Sequence, residues 1–447
     1  MQITGGATRS TVSVPWPRVV LLLAALACVG CEPADQPDVL RITGVTMGTQ
    51  YVVKIAHPPQ GMAPAELRRV INGRLEQLNA VFSTYDPSSE LSLFNEQQSV
   101  QWVDISRELA AVLSEAVLAG RQSGGAFDPT VGPVVNLWSF GPRLEQPGHE
   151  KTYEVPSDEA IAAARRQSGL EQLEVQSDPP AARKKVPELY VDLSGIAKGY
   201  AVDELSRMLA EMGMENHMID IGGEVKAVGS RPDGQPWRIG IEVPRPSAET
   251  DLPAMPRVAY RVIELTDTAM ATSGNYRNFF TSGGERYGHI IDPRTGRPAK
   301  TGVVSATVID PSCMRADAMA TAMMVLGVEE GMKLAEEQDS AVLLVADEDA
   351  RPEGWQPSSR SGSATAPAGQ TPGDAIARAS IAGAGLPDGL CEYLSPRFEE
   401  LLRGGRADEE SPPSVSRTHA AADDPSNPPS PAHSADVPDE QDPNVPQ

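Results

Sequence analysis

Met218-Ile-Asp-Ile221, Gly222-Gly223, Glu224-Val-Lys-Ala-Val-Gly229, Pro232-Asp233-Gly234 and Trp237-Arg-Ile-Gly-Ile-Glu-Val243 follow one another in the stretch that decides the fold. Its apolar runs are short, and Gly-Gly and Pro-Asp-Gly are turn chemistry, so the runs read as a meander of three strands. Upstream, Leu189-Tyr-Val-Asp-Leu193 reads as a further strand, with a Gly-containing turn and a helix over Ala197–Met212 after it. Farther out, Leu40–Ile55 alternates as a strand interrupted at Met47-Gly48-Thr49. Pro64–Phe82 places Leu67, Val70, Ile71, Leu75, Leu78 and Val81 on one helical face, and Ser106–Ser123 repeats the pattern. Downstream, a helix begins at Cys313 and runs through Met324 and Leu326, and Ala341–Val345 has the continuous apolar character of a buried strand. There is no regular βαβ alternation and no internal repeat. The expected fold is α+β, mainly antiparallel sheets packed with helices, in a single domain over 38–402.

The chain has 447 residues, 40% of them hydrophobic, enough for one large core or two ordinary ones. Against 38 Lys and Arg stand 61 Asp and Glu, a net charge of −23. That balance argues against nucleic acid as a partner, because gripping phosphate backbone needs clustered basic residues. Four cysteines exclude a disulfide scaffold, and six scattered histidines leave little for a zinc site. A divalent metal would more naturally be held by oxygen.

Residues 1–30 read as an address. Arg9 and Arg18 precede the apolar run Val19–Val29, which has the length of a signal-peptide core and is short for a membrane span. The run ends in Ala27-Cys28-Val29-Gly30-Cys31, which resembles a bacterial lipobox. Cys31 fits better than Cys28 as the lipidated residue, since Leu26 stands where the Cys28 register wants a small side chain. An ordinary secretory signal cleaved nearby is the alternative. At the other end, 407–447 holds nine Pro, nine acidic residues and no aromatic residue, and is expected to be a disordered tail. The stretch 347–387 is rich in Ala, Gly, Ser and Pro and reads as a low-complexity insertion in a loop. Whether Cys313 and Cys391 pair is left open by the sequence.

Neither the Gly-x-x-x-x-Gly-Lys-Ser/Thr loop nor a Gly-x-Gly-x-x-Gly turn after a strand is present. Three other patterns carry chemistry. Asp192-Leu-Ser-Gly195-Ile-Ala-Lys198-Gly199 sets an acid, a hydroxyl, a glycine and a lysine at the entry to a helix, where free amides and the helix dipole favour an anion. The same pattern also fits a plain turn with Asp192 as its cap. Asp317 and Thr321, four apart on the helix begun at Cys313, share a face and present hard oxygens of the kind magnesium takes; Asp317 could equally complement the helix N-terminus. His289, before Ile-Ile-Asp292-Pro, is the best proton acceptor in a chain this poor in histidine.

Taken in order, Ser83-Thr-Tyr85-Asp-Pro-Ser-Ser-Glu90-Leu-Ser-Leu-Phe-Asn95, Gly125-Ala126-Phe127-Asp128-Pro-Thr-Val-Gly132-Pro133 with Asn136-Leu-Trp138, Asp192–Gly199, Asp220-Ile-Gly-Gly-Glu224, Thr272-Ser-Gly-Asn275, His289–Gly296 and Asp317–Thr321 resemble the ApbE-type FAD:protein FMN transferases. The resemblance runs from Leu40 to Val345, and Glu392–Leu402 is similar to the family's closing strand. It implies a catalytic domain lipid-anchored to the inner membrane and facing the periplasm, which binds FAD, uses Mg2+ at the pyrophosphate, transfers FMN to a threonine hydroxyl of an exported flavoprotein subunit and releases AMP. By motif, it implies that Met47 and Tyr85 flank the flavin or adenine and that Ala126, Phe127 and Asp128 contact FAD. Asp192 and Lys198 would lie on its ribose and phosphate side, and Ile291 at the isoalloxazine end. Gly195, through its carbonyl, Asp317 and Thr321 would be the magnesium ligands. Ala320 stands where some members have Asp, which puts a second magnesium in doubt, and Lys198 replaces an acid found in others.

The attack of a hydroxyl on a pyrophosphate needs charge neutralisation and a base, and Asp317, Thr321 and His289 meet those needs. An FAD pyrophosphatase giving FMN and AMP, or an FAD-binding lipoprotein without turnover, are the competing readings. Removal of Asp317 is expected to spare the fold, as for an exposed ligand. Gly362-Ser-Ala-Thr365 matches the final three positions of the family's acceptor motif, and is expected to be an accidental match carrying no covalent flavin.

Overall fold

The computed structural model describes residues 39–59, 61–142, 154–244, 258–276, 278–352, 376–381 and 386–404. The expected N-terminal signal and lipobox, the acidic tail, Thr365 and most of the 347–387 stretch lie outside these. The expected α+β class is observed. An eight-stranded sheet runs in the order Val39–Thr46, Thr49–Ala56, His217–Ile221, Glu224–Val228, Thr268–Gly274, Val303–Asp310, Ala341–Asp347 and Leu390–Leu394, with every neighbouring pair antiparallel. The Met47-Gly48-Thr49 interruption is the turn of the first hairpin: Met47 and Gly48 adopt φ of 48° and 71°, the left-handed pair that a tight hairpin needs.

Alternation along these strands divides two cores. Val53, Ile55, Ile219, Ile221, Val308 and Leu344 face helices Pro64–Phe82, Arg107–Gln122, Ala197–Glu211 and Cys313–Glu337. Met218, Val225, Ala227, Met270 and Leu343 face the opposite side and pack against Trp237, Ile239 and Ile263. Helix Pro64–Phe82 shows why these positions fold as they do. Proline and Glu66 sit in its first turn, and Leu67, Ile71, Leu75, Leu78 and Phe82 form its buried stripe.

Two expected strands are corrected. Trp237–Glu242 leaves the meander: it pairs with Ala259–Thr266 in a separate three-stranded sheet covering the second core, and the backbone of Ile376–Ile381 forms the far strand of that sheet. Leu189–Leu193 is mostly buried but belongs to no ladder. The Asn95 side chain serves in place of a neighbouring strand, donating to the Val191 carbonyl at 2.8 Å and accepting from the Val191 N–H at 2.7 Å. Asn95→Leu removes both partners from buried backbone groups, and is expected to destabilise the protein by about 2–6 kcal/mol in urea unfolding, from roughly 1–3 kcal/mol for each of the two orphaned groups. A loss below about 1 kcal/mol would show that this segment is held by packing alone.

Candidate functional site

Cys313–Glu337 is the helix that organises the site. Its N-terminal amides are capped from a different helix: the Asp203 carboxylate accepts from the N–H groups of Cys313 at 3.1 Å and Met314 at 3.0 Å, and from Ser312 Oγ at 3.1 Å. Asp317 is therefore not needed as a cap. It reaches across to the helix at Ala197, where its Oδ2 accepts from the Gly199 N–H at 3.0 Å. Gly199 permits that approach, because a Cβ there would meet the Cys313 carbonyl oxygen at 2.4 Å. The Lys198 ammonium lies 2.8 Å from Glu224 Oε1 and 3.5 Å from Asp317 Oδ1. Asp317 is 2% exposed, so the expectation of an exposed side chain is corrected. Both cysteines of the described residues, Cys313 and Cys391, are free thiols.

Other motifs join the same place through short bonds. The Asp192 N–H donates to the Pro129 carbonyl at 2.7 Å, tying the 125–133 loop to the 189–199 loop. Asp128 Oδ1 accepts from the Thr130 N–H at 2.8 Å and from its hydroxyl at 2.6 Å, which fixes the carboxylate. Burial raises the Asp128 carboxyl above its ordinary range, and the Thr130 bonds oppose the rise. Thr321 Oγ1 and Ser273 Oγ are 3.3 Å apart, and a Cβ on Gly195 would sit 3.1 Å from Thr321 Oγ1, so the three segments converge.

His289 follows the hairpin Phe279–Ser282 and Glu285–Gly288, whose Phe280 and Tyr287 rings stack at 5.3 Å. Trp138 stacks on Tyr287 at 5.5 Å and donates from its indole nitrogen to the Gly296 carbonyl at 2.8 Å, so this small cluster is anchored on both sides of His289. His289 Nδ1 is 3.1 Å from the Asn278 main-chain oxygen. A carbonyl can only accept, so Nδ1 carries the proton and the neutral ring keeps a lone pair on Nε2. Burial lowers the His289 pKa, favouring that neutral form.

A cavity of about 870 Å³ gathers these groups. Tyr85, Ala126, Phe127, Asp128, Asp192, Gly195, Lys198, His289, Ile291, Asp317 and Thr321 all line it, which brings together residues from five segments of the chain. Met47 does not line it; Met47 packs against the helix-side core, and the adjoining Gly48 and Thr49 reach the cavity instead. Glu224 is the residue to which sequence reasoning gave no role. It is 3% exposed and lines the cavity, and its Oε2 has no hydrogen-bond partner among the described residues. The signal was an acid directly after the Gly222-Gly223 turn. Burial raises the Glu224 carboxyl, opposed by Lys198; burial alone would lower Lys198, but the two carboxylates outweigh it and keep the ammonium charged.

Among the described residues, no group of three or more His, Cys, Asp or Glu side chains is arranged to hold a metal ion. A cation at Asp317 would therefore rest on one carboxylate supplemented by hydroxyl and carbonyl oxygens. That donor set suits magnesium, which keeps most of its shell for water and phosphate, and is unsuited to zinc.

The ApbE family model matches residues 47–344. Over 333 residues the chain is 44% identical to the FAD:protein FMN transferase of Vibrio cholerae serotype O1, covering 74% of this chain and 94% of that one. It is 36% identical over 343 residues to the FAD:protein FMN transferase of Escherichia coli K12, covering 75% and 93%. Among solved structures, the flavin transferase ApbE from Vibrio cholerae superposes with a TM-score of 0.64 at 38% identity, covering 81% of this chain and 99% of that one. The apo flavinyl transferase ApbE of Pseudomonas stutzeri gives 0.63 at 33% identity, covering 81% and 96%. Sequence and backbone thus agree over the same region that forms the cavity, and the chain belongs to the ApbE family.

Proposed function

We propose that this protein transfers the FMN moiety of FAD to a threonine hydroxyl of an exported flavoprotein subunit and releases AMP. The observation that carries the reading is the convergence of His289, Asp317 and Thr321 on one cavity large enough for a dinucleotide. In the step, the threonine Oγ forms a bond to the flavin-side phosphorus, the bond from that phosphorus to the bridging oxygen breaks, and AMP departs with the bridging oxygen. The hydroxyl proton passes to His289 Nε2, whose lone pair is set by the Asn278 carbonyl on the other nitrogen. Asp128 and Asp192, each fixed by bonds to its own loop, position the nucleotide, and Phe127 and Ile291 offer apolar surface. The Lys198 ammonium supplies fixed positive charge beside the pyrophosphate. Asp317, Thr321 Oγ1 and the Gly195 carbonyl would hold Mg2+, which neutralises charge on the phosphate oxygens when bound.

On the strength of the run from Arg9 to Cys31, the enzyme works anchored by lipid to the inner membrane on its periplasmic side, with the domain spanning 38–402. The test is AMP release from FAD and Mg2+ with and without a candidate acceptor. Release that depends on the acceptor, one AMP per flavin attached, is expected. Steady release of AMP and FMN with FAD alone would identify a pyrophosphatase instead.

A further inference from the structure

Half-buried Lys198 and the buried carboxylates of Asp317 and Glu224 form a cluster whose geometry is lopsided. The ammonium sits 2.8 Å from Glu224 Oε1 but 3.5 Å from Asp317 Oδ1. Left to Asp317 alone, the lysine would close this longer ion pair to hydrogen-bond distance and occupy the carboxylate that the proposed cation needs. Glu224 takes the ammonium at the shorter distance and leaves Asp317 the longer of its two ion pairs. It is itself held by the strand that begins after Gly222-Gly223, where the Gly223 N–H donates to Asp220 Oδ1 at 3.0 Å. The remaining oxygen, Oε2, is buried without a partner among the described residues, and the ion pair of Oε1 with Lys198 is the side-chain contact that Glu224 makes there. A buried carboxylate in that state is costly to keep unless it performs a task.

We propose that Glu224 is a positioning residue that pulls Lys198 off Asp317, leaving Asp317 open to a divalent cation and Lys198 as a fixed positive charge on the cavity wall. The inference rests on the reading of Asp317 as a magnesium ligand. Lys198 and the cation are then competitors for one carboxylate, and Glu224 decides the competition. In Glu224→Gln the side chain keeps its size but loses its charge, and the ammonium moves onto Asp317.

The test is the affinity of the folded protein for Mn2+, read by electron paramagnetic resonance without FAD or turnover, with Mg2+ as competitor. Glu224→Gln is expected to weaken binding about 10–100-fold, the usual consequence of losing a residue that orients a metal ligand. Glu224→Gln combined with Lys198→Met removes the competitor and is expected to restore affinity to within about threefold of the parent, since the second change deletes the charge that the first released. A merely structural role for Glu224 would make the double variant at least as weak as the single one. Unchanged affinity in Glu224→Gln, or no recovery in the double variant, overturns the proposal. Absence of Mn2+ binding and of Mg2+ competition in the parent overturns the magnesium reading, and this proposal with it. Circular dichroism checks folding, and Glu224→Asp, which withdraws the carboxylate by one methylene, replaces Glu224→Gln if that variant fails to fold; weakening is again expected, and unchanged affinity again overturns the proposal.

Discussion

Asp317→Asn is expected to lower FMN transfer by about 10²–10⁴-fold, the several kcal/mol that metal charge neutralisation supplies to a phosphoryl transition state. Asn keeps an oxygen acceptor for the Gly199 N–H, and Lys198 keeps Glu224, so the variant should fold. Because Asp317 is 2% exposed and paired, the change is not neutral for stability. A loss of about 1–3 kcal/mol is expected from the charged hydrogen bond given up in a buried setting. Asp317→Ala should lose more, since it also orphans the Gly199 N–H. Rates at saturating FAD, set beside urea unfolding of the same samples, separate the two effects. Transfer near the parent rate in a folded Asp317→Asn protein would remove Asp317 from the site.

His289→Asn should retain FAD binding and lose about 10²–10⁴-fold in turnover, the range for loss of a positioned general base. The pH dependence has a definite sign. Burial lowers the His289 pKa below its ordinary 6.5, so the ring is neutral, and active as a base, at neutral pH. Rate should fall only as pH drops through that lowered value, which puts the acid limb of the profile below 6.5. In His289→Asn the limb should vanish together with most of the rate. An FAD affinity that falls in parallel with the rate would instead assign His289 to packing of the substrate, as its edge contact with Phe140 at 6.3 Å would allow.

Much of this was legible in the sequence because the signals were local. The Gly-Gly turn after Ile221, the stripe of Pro64–Phe82 and the four-residue spacing of Asp317 and Thr321 all follow from short-range periodicity and turn chemistry. What was missed depends on contacts between distant segments. Leu189–Leu193 looks like a strand because it is a short, mostly apolar run before a Gly-containing turn, and nothing local says that Asn95 takes the place of a ladder. Asp317 reads as exposed, or as a cap, until Asp203 is seen to hold the amides of Cys313 and Met314. Trp237–Glu242 follows a turn that fits a continued meander, yet the apolar face of the main sheet has to be covered, and this strand turns away to cover it. Glu224 was visible as an acid after a turn. Its meaning appears only when Lys198 and Asp317 are brought beside it.

The central claim is group transfer to protein, and mass spectrometry of an exported flavoprotein subunit tests it most directly. The candidate acceptor is co-expressed with this enzyme or with its His289→Asn variant, purified, denatured to strip bound flavin, and weighed intact before peptide mapping. The account predicts a species heavier by one FMN, with the adduct on a threonine side chain, formed with the parent enzyme and nearly absent with His289→Asn. Acceptors that remain unmodified by the parent enzyme while FAD is consumed to free FMN and AMP would contradict it.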